Sequence, residues 1–101
     1  MVNYSITELD ISNKYLSKLP DDINKYTNLQ ILNCNSNKLT SLDNLRPNLQ
    51  KLDCSENQLT SLDNLPSNLQ ELHCYGNQLI YVFELTIENI RKYNAARKQS
   101  S

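Results

Sequence analysis

The sequence predicts an α/β-type repeat solenoid: a short arc with a parallel β-sheet on its concave face, an irregular convex side and a C-terminal capping helix. Three observations predict it. First, the chain copies itself every 20 residues: "NLQILNCNSNKLTSLDNLRP" at 28–47 matches "NLQKLDCSENQLTSLDNLPS" at 48–67 in 13 of 20 positions, and the latter matches 68–87 in 9 of 20. Second, apolar residues recur at fixed offsets. Leu29, Leu32, Cys34, Leu39, Leu42 and Leu45 return as Leu49, Leu52, Cys54, Leu59, Leu62 and Leu65, then as Leu69, Leu72, Cys74, Leu79, Val82 and Leu85. Third, beyond Leu85 the spacing changes to that of an amphipathic helix.

A fixed period of this length marks units that stack on one another rather than fold singly. Four units follow, at 6–28, 29–48, 49–68 and 69–85, the first being longer and carrying Ile6, Leu9, Ile11, Leu16, Leu19 and Ile23. Residues 1–5 form an N-terminal edge, and 86–101 a capping helix and tail. One unit buries about six apolar side chains, worth roughly 1.5–3 kcal/mol each. Ordering its backbone costs on the order of 20–40 kcal/mol. Stability therefore belongs to neighbouring units that share one core.

Within each unit, residues 32–34, 52–54 and 72–74 alternate apolar, polar, apolar, the period of a strand buried on one face. Asn37, Asn57 and Asn77 stand where the chain leaves the strand. A turn there strips backbone groups of strand partners, and a side-chain amide can both donate and accept in their place.

These residues compose LxxLxLxxNxL, which resembles the leucine-rich-repeat family over residues 6–85, with cysteine at the third apolar place. The short unit and the joint "LPSNLQEL" are similar to the repeat class of bacterial effectors and large-virus proteins, whereas "LPDDINKYTNLQ" in the first unit resembles a longer class able to hold a helical turn. The resemblance implies an asparagine ladder at Asn37, Asn57 and Asn77. The first unit departs from it, with Lys14 at that place and Asn13 beside it, so a looser edge with Lys14 in solvent is expected.

Cys34, Cys54 and Cys74 are the only cysteines. Strands about 4.8 Å apart set such a column in a line with parallel side-chain vectors. A disulfide needs Cβ atoms about 3.5–4.5 Å apart with converging vectors, and zinc needs four ligands around one point. His73 neighbours Cys74, but adjacent strand residues face opposite sides, which disfavours a catalytic dyad. The cysteines read as small apolar fillers of a tight core.

The outward positions form the candidate recognition face. Glu8, Ile31, Lys51 and Glu71 make one row, Asp10, Asn33, Asp53 and His73 the next, then Ser12, Asn35, Ser55 and Tyr75, and finally Asn13, Ser36, Glu56 and Gly76 before the bend. The partner-binding candidates are Ile31, Asn33, Lys51, Asp53, Glu71, His73 and Tyr75, with Tyr75 and His73 as the contact centre because binding energy concentrates on aromatic residues. Lys51, Asp53, Ser55 and Glu56 differ from their counterparts in the other copies, and specificity is expected where copies vary. Four strands span only about 15–20 Å, against about 800 Å² per partner in a standard interface.

At the C-terminal end, Thr86 is placed to cap a helix carrying Ile87, Ile90 and Tyr93, with Glu88 in its first turn and Arg91, Lys92, Arg97 and Lys98 later, as the helix dipole favours. A basic docking segment is the other reading of these residues. Only Val2 and Tyr4 shield the first unit, which predicts an N-terminal edge that is frayed or paired with a second copy.

Ten Lys and Arg against eleven Asp and Glu give a net charge of −1, without the basic surplus that a nucleic-acid binder needs. No apolar run is long enough to span a membrane, and an odd cysteine count with no close pair fits a reduced, cytoplasmic setting. The reading is therefore a non-catalytic protein–protein interaction module with no cofactor, metal, nucleic-acid or membrane partner. The repeat-class resemblance implies an alternative: a substrate-recognition or effector component that acts with a ubiquitin ligase or another pathway in a host cytoplasm.

Overall fold

A computed structural model describes residues 2–99; the expected tail at 100–101 and Met1 of the N-terminal edge lie outside the described residues. The chain runs through β1 (Glu8–Asp10), a single 3-10 turn (Ile23–Lys25), β2 (Ile31–Asn33), β3 (Lys51–Asp53), β4 (Glu71–His73) and α1 (Ile87–Gln99). The four strands form one parallel sheet in the order β1-β2-β3-β4. Each repeat thus contributes one short strand to a short α/β arc.

The register follows the repeat. Leu9, Leu32, Leu52 and Leu72 align across the sheet, flanked by the rows Glu8, Ile31, Lys51, Glu71 and Asp10, Asn33, Asp53, His73. Backbone bonds extend the pairing past each strand, from Cys34 N–H to the Asp53 carbonyl and from Cys54 N–H to the His73 carbonyl, both within 2.9 Å. Behind the sheet lie Leu29, Leu39, Leu49, Leu59 and Leu69 with the three cysteines, all buried.

Close stacking demands a sharp bend after every strand. Asn13, Ser36, Glu56 and Gly76, one repeat position in four units, all adopt left-handed backbone at φ 57, 58, 54 and 69°. Only the last copy uses glycine, the residue that carries no steric penalty there. A Cβ on Gly76 would also lie 2.6 Å from Glu56 Cδ, so the glycine makes room for that carboxylate.

The ends differ from what the pattern predicts. The N-terminal segment is pinned, not frayed: the Tyr4 ring meets Tyr26 edge-on at 5.0 Å, and its hydroxyl donates to Asp22 at 2.7 Å. Lys14 is exposed as expected, but its N–H and that of Leu16 both donate to Asn37 Oδ1 at 3.0 Å, so the second unit supplies the amide the first one lacks.

In the fourth unit the pattern breaks. Val82, the counterpart of buried Leu62, is fully exposed, and Leu85 is 43% exposed. Tyr81 takes the inward place: its hydroxyl accepts from Leu62 N–H at 2.7 Å, and its ring stacks on Phe83 and meets Tyr93 of α1.

Helix α1 begins as predicted after Thr86, whose Oγ1 accepts from Asn89 N–H at 3.1 Å. Its docking surface is the joint of the third unit. Ile90 is buried, Arg91 donates to the Pro66 and Ser67 carbonyls, and Asn94 donates to those of Leu62 and Asp63. The arrangement repeats one made earlier in the stack, where Arg46 reaches the Asn24 carbonyl and Asn48 that of Thr27. The helix thus stands in for a convex segment, and Leu72 on β4 stays half-buried while Leu32 and Leu52 are sealed.

Candidate functional site

The sheet face is built from side chains that the strand period turns away from the core. In the first three units the second row is engaged locally. Asp10 Oδ1 accepts from Ser12 N–H, Asn33 Oδ1 from Asn35 N–H, and Asp53 Oδ1 from Ser55 N–H, at 2.9–3.1 Å. Asn35 Nδ2 donates to both Asn33 and Asp53, which links β2 to β3. Asn33 and Asp53 therefore close turns as well as facing outward.

The fourth unit has no such turn. His73 Nε2 shares a hydrogen bond with Glu71 Oε2 at 3.0 Å, and Lys51 Nζ lies 3.9 Å from Glu71 Oε1. The bond to His73, and next the Lys51 ammonium, hold the Glu71 carboxyl below its usual range. Tyr75 projects from the end of this strand, 64% exposed, and Ile31 is half-buried on the far side of Lys51.

Ser55 corrects the expected face, because it is fully buried. The pairing sets it between Asn35 and Tyr75, and with strands about 4.8 Å apart two larger neighbours cover a serine. It drops out of the variable surface, which leaves Lys51, Asp53 and Glu56.

Beneath the face, Cys34, Cys54 and Cys74 are buried free thiols. Burial pushes the Cys34 thiol up to about 12, and raises Cys54 with help from the thiols on either side. Cys74 is raised by burial alone. Among the described residues no group of three or more His, Cys, Asp or Glu could hold a metal ion.

These shifts fix a pH dependence. A thiol with a raised folded pKa contributes stability that is whole below its ordinary value near 9 and falls away as pH rises toward about 12, by about 1.4 kcal/mol per pH unit per thiol. The urea midpoint is expected to hold level to about pH 8.5 and then decline, and Cys34→Ala to decline less steeply. Parallel pH profiles of the two proteins would show a structural thiol behaving otherwise.

The asparagines sit at the bends. Asn57 Nδ2 donates to the carbonyls of Cys34, Cys54 and Ser55 at 3.0–3.1 Å, while its Oδ1 accepts from Leu39 N–H at 3.0 Å. Asn37 and Asn77 make the corresponding bonds to their own and the preceding unit. Each amide thus joins two units.

Sequence reasoning missed the aromatic cluster of Tyr81, Phe83 and Tyr93. Its signal was present in "YVF", where aromatics flank the valine that fills the repeat position.

Parallel strands stacked one per unit, with an amide at the bends of the last three units and a polar sheet face, define a repeat solenoid of the kind that presents a surface rather than a cleft. Residues 47–92 match the family model described as Leucine Rich repeats in two copies, so this part of the chain carries leucine-rich repeats. No curated protein matches the chain.

Proposed function

We propose that the chain is a non-catalytic module that binds a protein partner on the C-terminal half of its sheet face, centred on His73 and Tyr75. Leucine-rich-repeat domains generally mediate protein contacts. The observation that carries the location is the contrast between units. The earlier strands end in side chains tied into turns, whereas the fourth ends in an exposed tyrosine beside an exposed histidine. Lys51, Asp53 and Glu71 supply a mixed-charge margin, and Ile31 an apolar one. Buried free thiols favour a cytoplasmic setting. The ligase or effector reading rests on the repeat-class resemblance alone.

A photo-crosslinker at Tyr75 is expected to capture one partner from cell extract that a crosslinker at Ser41, on the joint side, does not capture. His73→Ala with Tyr75→Ala, both at exposed positions, is expected to weaken that complex about thirtyfold or more, the scale of a two-residue hot spot. Equal capture from both positions, or an affinity unchanged in the double variant, would place recognition elsewhere.

A further inference from the structure

The sheet has two outer edges, and they are not equivalent. Along β4, Glu71 N–H donates to the Gln50 carbonyl, and the His73 and Tyr75 carbonyls accept from Cys54 and Glu56. Backbone groups alternate sides along a strand, so the Leu72 N–H and carbonyl and the Cys74 N–H face outward. Gln70 contributes a further acceptor, for its counterparts Gln30 and Gln50 each receive two bonds from the following unit. Helix α1 hydrogen-bonds to the third unit's joint through Arg91 and Asn94, and its Ile87, Glu88 and Arg91 border an open groove beside Leu69 and exposed Gln70 at the start of β4. Four of the six large exposed hydrophobic side chains among the described residues, Tyr75, Ile80, Val82 and Leu85, belong to this last unit.

We propose that the outer edge of β4 pairs antiparallel with the same edge of a second copy, about a two-fold axis at Leu72, joining two sheets of four strands into one of eight. With Leu72 opposite its own copy, the two leucines exchange both backbone bonds, and each Cys74 N–H meets the second copy's Gln70 carbonyl. Glu71 then stands opposite the second copy's His73, and His73 opposite its Glu71. These are non-hydrogen-bonded pairs, the kind in which cross-strand side chains come closest. The dimer thus sets an acid against an imidazole twice, once from each copy, with Lys51 flanking each pair.

The β1 edge lacks this complementarity. Antiparallel pairing of β1 with itself sets Glu8 against Asp10, and like charges across strands are destabilising. Head-to-tail stacking of β4 on β1 in the existing register sets Glu71 against Glu8 and His73 against Asp10, one like-charge pair for each acid–imidazole pair, where the two-fold arrangement makes two acid–imidazole pairs and no like-charge pair. The charges therefore move self-association from the expected N-terminal edge to the C-terminal one. An eight-stranded sheet also doubles a recognition face that is narrow in one copy.

Sedimentation equilibrium on the full chain, with native mass spectrometry, is expected to show a concentration-dependent species that stops at two copies. Glu71→Lys places a cation opposite His73 and is expected to weaken the dimer about tenfold or more. Adding His73→Glu restores opposite charges and is expected to recover the affinity to within about threefold. Glu8→Lys is expected to change nothing. All three positions are exposed, so the fold should survive, and circular dichroism checks it. A chain that stays monomeric to about 1 mM overturns the proposal, since that is the weak limit of measurable pairing. So does failure of the double variant to recover. Growth past two copies that Glu71→Lys and Glu8→Lys both strengthen would show head-to-tail stacking in its place.

Discussion

Asn57→Ala is expected to lower the unfolding free energy by about 3–6 kcal/mol, since each buried polar group stranded without a partner costs about 1–3 kcal/mol. The side chain is 8% exposed and makes four bonds, two to the second unit at Leu39 and Cys34 and two within its own third unit at Cys54 and Ser55. Alanine leaves the Leu39 N–H facing an empty acceptor site, and three carbonyls lose a donor where water does not readily enter. The loss is comparable to the entire stability of a small domain, about 5–15 kcal/mol. Asn77→Ala is expected to cost less, because Asn77 is half-buried at the open end and solvent can replace its amide. Urea titrations of the two variants measure the difference. Equal losses would mean that the last bend is as dry as the middle one.

Leu52→Ala is expected to cost about 2–5 kcal/mol, the range for truncating a sealed core leucine. Leu52 is 1% exposed and sits between Leu32 and Leu72 in the register. Its loss opens a cavity at the centre of the stack, where units on both sides depend on the contact. Leu72→Ala removes the same atoms from a half-buried edge position and is expected to cost less than half as much in a dilute chain. Denaturation at rising protein concentration tests the point further. If β4 is covered by a second copy, the Leu72→Ala penalty grows with concentration while the Leu52→Ala penalty stays constant.

The middle of this molecule was legible because its neighbours are copies. The strands, their shared faces and the inward cysteines all follow from apolar offsets that recur in 28–47 and 48–67. Periodicity constrains a residue only when a unit lies on each side, however. At the fourth unit the next neighbour is absent, and the apolar offset no longer decides what is inside. Val82 keeps the repeat position yet lies in solvent, because Tyr81 offers a larger ring and a hydroxyl that satisfies Leu62 N–H. The turn bonds of Asn33 and Asp53 were equally hidden, since the same side chain in the same row can face a partner or close its own loop.

From residue order alone came the period, the parallel sheet, the buried thiol column and the helix start at Thr86. Tertiary structure decided that Tyr4 holds down the first unit, that Ser55 is covered, that α1 docks on the third unit's joint, and that β4 is an open edge. The division has one physical cause. A repeat writes its contacts with an identical neighbour into its own spacing, whereas contacts made once, between ends and caps, depend on shapes that meet only in the folded chain.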